Sequence, residues 1–199
     1  FAFAKTFHPA DAIRGTGGAP RSASRCVFNV LGPLTNPATP KHMAIGCANR
    51  AMSPIMAAVY AANGQSGMVY TSNEGLDEMA PTGPISVWIK DGKVCETEFD
   101  PIEELGLAKV TIEDLRGGEP DYNAQAARDL FAGKDVPFRT TALLNAASAI
   151  VADGSLIDAS APLGERFRQA HAIAEQAVDS GRAAALLDEW IAVASKHVD

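Results

Sequence analysis

The sequence predicts an α/β domain, a mixed and mainly parallel sheet flanked by helices, and three observations predict it. Short apolar runs of strand length alternate with helical segments in the first half, the pattern of helices laid over a sheet. An Asp91-Gly92 pair between two apolar runs adds an antiparallel hairpin, so the sheet is mixed. The second half reads as consecutive helices punctuated by glycines. Strands gathered ahead of helices also suit an α+β arrangement, and both remain open at this point.

Taken in order, the first forty residues are rich in Gly and Pro and read as irregular. His42 to Ala48 is short and mostly apolar, as in a buried strand. Ser53-Pro54 reads as N-cap and first helical residue, and Asn63-Gly64 as the stop. Gly67 to Thr71 is a second buried strand, ending in the polar turn Ser72-Asn-Glu-Gly75. Ile85–Ile89 and Lys93–Thr97 flank the Asp-Gly pair as hairpin strands. Thr111-Ile-Glu-Asp114 has capping-box spacing and is stopped by Gly117-Gly118. Helices follow from Asn123 to Phe131, Thr141 to Ala152, Leu163 to Ser180 and Arg182 to Lys196.

A length of 199 residues fits one domain, 1–199, with a sizeable core. The net charge of −7 argues against nucleic acid, which calls for a basic face to replace counterions. No apolar run approaches the ~20 residues that span a bilayer, so no membrane partner is expected. Cys26, Cys47 and Cys95 are scattered and form no metal-ligand spacing; they read as reduced, buried thiols of a cytoplasmic protein. The chain has no initial methionine and opens inside an apolar run, as expected of one begun part-way.

Four constellations are candidates for chemistry. Gly75-Leu-Asp-Glu78 follows a buried strand, and Asp77 and Glu78 suit Mg²⁺, which takes hard oxygen ligands and keeps waters beside substrate phosphates. A solvated acidic turn is the plainer account of the same residues. Val27 to Pro37 sets Asn29 and Asn36 in an apolar stretch around Gly32-Pro33, which suits a slot for a flat ring or an ordinary Pro-rich connection with an Asx-turn. His8-Pro9-Ala10 precedes Arg14, Arg21 and Arg25, whose guanidinium groups match carboxylate or phosphate. Gly15-Thr-Gly-Gly18 has the composition of a phosphate cradle but lacks the preceding strand and following helix.

Phe28-Asn-Val-Leu-Gly-Pro-Leu-Thr-Asn-Pro37, with His8-Pro-Ala upstream and Gly75-Leu-Asp-Glu78 downstream, closely resembles anthranilate phosphoribosyltransferases. Asp114-Leu-Arg-Gly-Gly118, Leu143-Leu-Asn-Ala-Ala147 and the stretch from Ala174 to Ala183 extend the resemblance over essentially the whole chain. It implies a nucleoside phosphorylase/phosphoribosyltransferase-like domain. It also implies transfer of phosphoribosyl from phosphoribosyl pyrophosphate to anthranilate with Mg²⁺, a step of tryptophan synthesis. Asp77 and Glu78 match the metal-binding carboxylates; His8, Asn29, Gly32 and Pro33 match positions lining the anthranilate entrance. The arginine expected near Gly18 or Ala19 to engage the anthranilate carboxylate is replaced, and Arg21 is taken as the substitute. The family's small N-terminal helical domain and donor-binding loops are expected to be absent from this chain. That leaves it the C-terminal portion, inactive alone, of a protein that dimerises when complete. A non-catalytic metal or aromatic-acid binding module of the same fold is the alternative.

Overall fold

The computed structural model describes residues 28–36, 38–90 and 93–196, with Phe28, Asn29 and Lys90 described by backbone alone. His8, Arg14, Arg21, Arg25, Cys26, the Gly15–Gly18 loop and Asp91-Gly92 lie outside them. The elements run α1 (Phe28–Leu34), β1 (His42–Gly46), α2 (Ser53–Ala62), β2 (Ser66–Ser72), β3 (Ile85–Lys90) and β4 (Val94–Phe99). Then come α3 (Pro101–Leu105), a 3₁₀ turn (Glu113–Leu115), α4 (Pro120–Phe131), α5 (Arg139–Asp153), α6 (Leu163–Asp179) and α7 (Arg182–Ala194).

The four strands lie in sequence order, β1-β2-β3-β4. β1 and β2 pair in parallel, His42 against Ser66 through Gly46 against Tyr70, with α2 as the crossover. β2–β3 and β3–β4 are antiparallel, the latter forming the expected hairpin but closing on Lys90 opposite Val94, one residue beyond the Lys93 partner that a two-residue Asp-Gly turn sets. The sheet is thus mixed as expected, but one parallel pairing against two antiparallel ones corrects "mainly parallel" for the described residues. The reason is that α2 alone crosses over between adjacent strands, whereas the chain turns back to β3 through the non-helical segment 73–84 and to β4 through a tight connection.

Period-two alternation divides the core between the two faces of the sheet. Met68, Tyr70, Ile85, Val87, Ile89 and Phe99 bury against Leu144, Ala147 and Val151 of α5 and Phe167 and Ala170 of α6. Phe99 stacks on Phe167 with ring centroids 4.3 Å apart. Met43, Val69 and Trp88 face the other way and pack on Met56, Ala57 and Tyr60 of α2. Burial on both faces explains why β2 reads as a continuous apolar run rather than an alternating one.

Helix punctuation follows the sequence closely. Pro54 stands in the first turn of α2 and Asn63 is its C-cap; Gly133, Gly154 and Gly181 adopt positive φ after α4, α5 and α6. Four readings need correction. Ser53, read as the N-cap of α2, is its first residue, and Met52 stands at the N-cap without a side-chain cap bond. Residues 28–34, expected to be irregular, form a helical stretch with Pro33 inside it. The Thr111–Asp114 capping box is real, Asp114 accepting the Thr111 N–H and Asp114 N–H donating to Thr111 Oγ1, but it opens only a 3₁₀ turn. Cys47 is buried as expected; Cys95, on edge strand β4, is exposed.

Candidate metal and substrate cleft

The carboxyl ends of β1 and β2 are tied together before the acidic turn begins. Thr71 Oγ1 donates to the Cys47 carbonyl at 2.6 Å and shares a hydrogen bond of 2.7 Å with Ser53 Oγ at the start of α2. Cys47 N–H donates to the Tyr70 carbonyl, extending the ladder one step beyond β1. From this base the chain turns back on itself. Leu76 N–H donates to Ser72 Oγ at 2.8 Å, Gly75 turns with φ 76°, and the Thr82 hydroxyl donates to the Glu74 carboxylate.

Two further contacts fix the segment that carries the carboxylates. Gly46 ends β1 directly beneath the Asp77 peptide: a Cβ there would overlap the Asp77 carbonyl oxygen, so only glycine lets the backbones cross so closely. Asn145 of α5 grips the next residues. Its Oδ1 accepts from Met79 N–H (3.0 Å) and Tyr70 OH (3.2 Å), and its Nδ2 donates to the carbonyls of Met79 (2.9 Å) and Thr141 (2.8 Å). Met79 and Ala80 are wholly buried, while Asp77 and Glu78 are exposed.

The two carboxylates open onto a cleft of about 720 Å³ whose far walls are the 3₁₀ turn, α4 and the first half of α5. Tyr70 and Asn145 stand at its floor, Glu113, Asp114 and Arg116 on one wall, and Tyr122 on another. Burial holds the Tyr70 phenol above its ordinary pKa, and the negative charges of Glu78 and Asp77 add to that, so the group stays a neutral donor. The Thr111 N–H and hydroxyl bonds hold the Asp114 carboxyl below the usual carboxylate range. Among the described residues, Arg116 is the one basic side chain lining the cleft. Its wall is fixed on both sides, by the capping box before it and by Asn123 after it, which accepts from Gly118 N–H (2.9 Å) and donates to Gly118 O (2.7 Å).

Among the described residues, no cluster of three or more His, Cys, Asp or Glu residues is arranged to cage an ion. A pair of exposed carboxylates at a strand end fits Mg²⁺, an ion bound through one or two carboxylates with waters and substrate phosphates filling the remaining positions. Pro33 is elsewhere. It lines a separate groove of about 430 Å³ with Asn36, Lys41 and Asn63–Gln65, beside the amino ends of β1 and β2. Gly32 lies on α1, where an added Cβ would meet nothing within 4 Å. The Asn29 backbone is in α1, and His8 and Arg21 are outside the described residues. The structure therefore joins Asp77 and Glu78 in one cleft and does not bring Pro33 to it.

Sequence reasoning missed Gly46, Tyr70, Asn145 and Arg116 as parts of this site. Asn145 and Arg116 lie within stretches that carried the family resemblance, and Gly46 is a glycine closing a strand, which signals close backbone approach.

The described residues form an α/β domain whose strand ends present a carboxylate pair to an open, mixed-charge cleft, the crevice where open α/β sheets take their ligands. The chain is a member of the glycosyl transferase family, a/b domain, whose family model matches residues 1–184. It is 44% identical over 195 residues to an anthranilate phosphoribosyltransferase of Arthrobacter sp. (strain FB24), covering 97% of this chain and 54% of that protein. To the enzyme of the same name from Streptomyces avermitilis it is 43% identical over 198 residues, covering 97% and 53%. Among solved structures, anthranilate phosphoribosyltransferase from Thermus thermophilus superposes with TM-score 0.75 at 30% identity, over 92% of this chain and 50% of that one. The Saccharomyces cerevisiae enzyme in complex with PRPP and Mg superposes with TM-score 0.75 at 25% identity, over 94% and 51%. The chain thus spans about half the length of the curated relatives it matches.

Proposed function

We propose that residues 1–199 form the α/β portion of an anthranilate phosphoribosyltransferase, with Asp77 and Glu78 holding Mg²⁺ beside the diphosphate of phosphoribosyl pyrophosphate. The observation that carries this reading is the presentation of that carboxylate pair. Its backbone lies close against Gly46 at Asp77 and is hydrogen-bonded to Asn145 at Met79, while both acidic side chains line the cleft. The Saccharomyces relative described with PRPP and Mg supports the choice of ligand.

In the transfer, the anthranilate nitrogen bonds to C1 of the ribose, the C1–O bond to pyrophosphate breaks, and the amine gives up a proton. Bound Mg²⁺ supplies charge neutralisation for the departing pyrophosphate. Asp77 and Glu78 orient that charge, Arg116 offers a guanidinium to anionic oxygen on the facing wall, and neutral Tyr70 keeps the floor from adding negative charge. Acceptor binding is assigned to His8, Asn29, Gly32 and Pro33 on their resemblance to the family's motifs, and to Arg21 as the substitute for the family's replaced arginine. The position of Pro33, in its separate groove, lends no support to its part of that assignment. The same resemblance extends to a cytoplasmic complete protein that forms a homodimer, which sedimentation of that protein tests.

The test of the activity is the loss of anthranilate fluorescence with phosphoribosyl pyrophosphate and Mg²⁺. The chain is assayed alone and then with the amino-terminal half of the Arthrobacter relative. Mg²⁺-dependent loss only in the combination is the expected result. Turnover by the chain alone would place all donor contacts within 1–199. No turnover in either would remove the transferase reading and leave a metal or aromatic-acid binding module.

A further inference from the structure

The Asn145 carboxamide is saturated, with two donors given to carbonyls and two bonds accepted at its oxygen. Its orientation is forced, because Met79 N–H can only donate and the Met79 and Thr141 carbonyls can only accept. Both polar groups of Met79 end on this one side chain, across 66 positions of sequence. Glu78 is therefore the last free residue before a peptide clamped to α5, and Asp77 is the residue whose own carbonyl lies against Gly46. Between those two points lie the two acidic side chains.

Resting on the metal reading above, we propose that Asn145 is the positioning residue that sets the affinity of the Asp77–Glu78 pair for a divalent cation. It touches neither the ion nor the reacting atoms; it fixes the backbone from which the carboxylates project. A hexacoordinate ion with short bonds is sensitive to that placement, and partners that orient ligands typically carry about 10–100-fold of the affinity.

The experiment is calorimetric titration of the chain with Mn²⁺ and with Mg²⁺, joined to hydrogen exchange at the Met79 amide. Asn145→Ala is expected to weaken Mn²⁺ binding about tenfold. It should deprotect the Met79 amide while the Val87 amide in β3 stays protected. Val151→Ala, a cavity in the buried face of the same helix, should lower stability and leave the cation affinity unchanged. If Asn145→Ala does not fold, Asn145→Ser, which keeps a polar atom at the site, carries the same measurement. Unchanged Mn²⁺ affinity in a folded Asn145 variant overturns the proposal. No Mn²⁺ binding by the unsubstituted chain, or undiminished binding after Asp77→Asn with Glu78→Gln, overturns the metal reading beneath it.

Discussion

The acidic turn at 72–82 and the segment at 28–41 are both rich in turn-formers, both adjoin the sheet, and they are held in opposite ways. The acidic turn is gripped from outside: by Gly46 of β1, by Asn145 of α5, and by the Ser53–Thr71–Cys47 ties beneath it. Among its described residues, segment 28–41 bonds locally, Thr35 back to Leu31 and Ala38 N–H to Asn36 in an Asx-turn, and is tied from outside only at its end, where Gln65 and Ser66 donate to the Pro40 and Lys41 carbonyls. Its packing contribution is Val30 and Leu34, half-buried against the α2 face of the core. A residue pair meant to coordinate an ion gains from the first arrangement, because rigidity is supplied by elements that cannot move independently. One glycine in each region makes the contrast measurable: Gly46 is demanded by contact, and Gly32 has empty space around it.

The largest expected effect is at the proposed ligands, Asp77 and Glu78. Asp77→Asn with Glu78→Gln in the complete enzyme should lower Mg²⁺-dependent turnover by about 100-fold or more, beyond the range for residues that only orient ligands. The thermal midpoint should hold, because both side chains are exposed. Turnover unchanged at limiting Mg²⁺ would remove the assignment.

Next comes Gly46→Ala. The added methyl must displace the Asp77 backbone, at about 1–3 kcal/mol by analogy with overpacked cores, and cation binding should weaken with it. Denaturant midpoint and calorimetry on the same sample check both parts. A stable variant with intact affinity would mean the crossing is looser than the structure describes.

Gly32→Ala sharpens the comparison from the other side. In α1 it should be neutral or stabilising by about 0.5–1 kcal/mol, since alanine is the better helix former. If this segment receives the acceptor, the anthranilate KM rises in the complete enzyme despite the gain in stability. An unchanged KM would count against Gly32 as an acceptor contact.

The smallest effect lies outside both regions, at His171 on α6. Its Nε2 is buried without a hydrogen-bond partner among the described residues. Burial lowers its pKa, with Glu175 opposing that shift and Arg139 adding to it. The unfolded chain therefore binds this proton first, so stability is constant above the ordinary histidine value and falls as pH drops below about 6.5. His171→Phe should flatten that fall below about pH 6.5, as read by denaturant midpoints. An equally steep fall would assign it to other groups.

Much of the scaffold was legible because its signals are local. Pro54, Gly133, Gly154 and Gly181 mark helix ends through backbone preferences that need no partner, and Asp91-Gly92 announces the β3–β4 pairing. The helix at 28–34 was not legible, because Gly32 and Pro33 speak against one and its apolar contacts come from the part of the core built around α2. Nor was the balance of strand directions, which depends on the route the chain takes from β2 to β3.

For the site, the sequence by itself determined which residues have the chemistry: an adjacent Asp77 and Glu78 after a buried strand, within motifs shared by a family. The tertiary structure alone decided that Asn145 clamps Met79, that Gly46 underlies Asp77, that Arg116 faces the same cleft and that Pro33 does not. The physical reason is range. Caps, turns and periodicity act over a few residues and are written in order along the chain. A clamp spanning 66 positions exists only once packing has brought α5 against the end of β2.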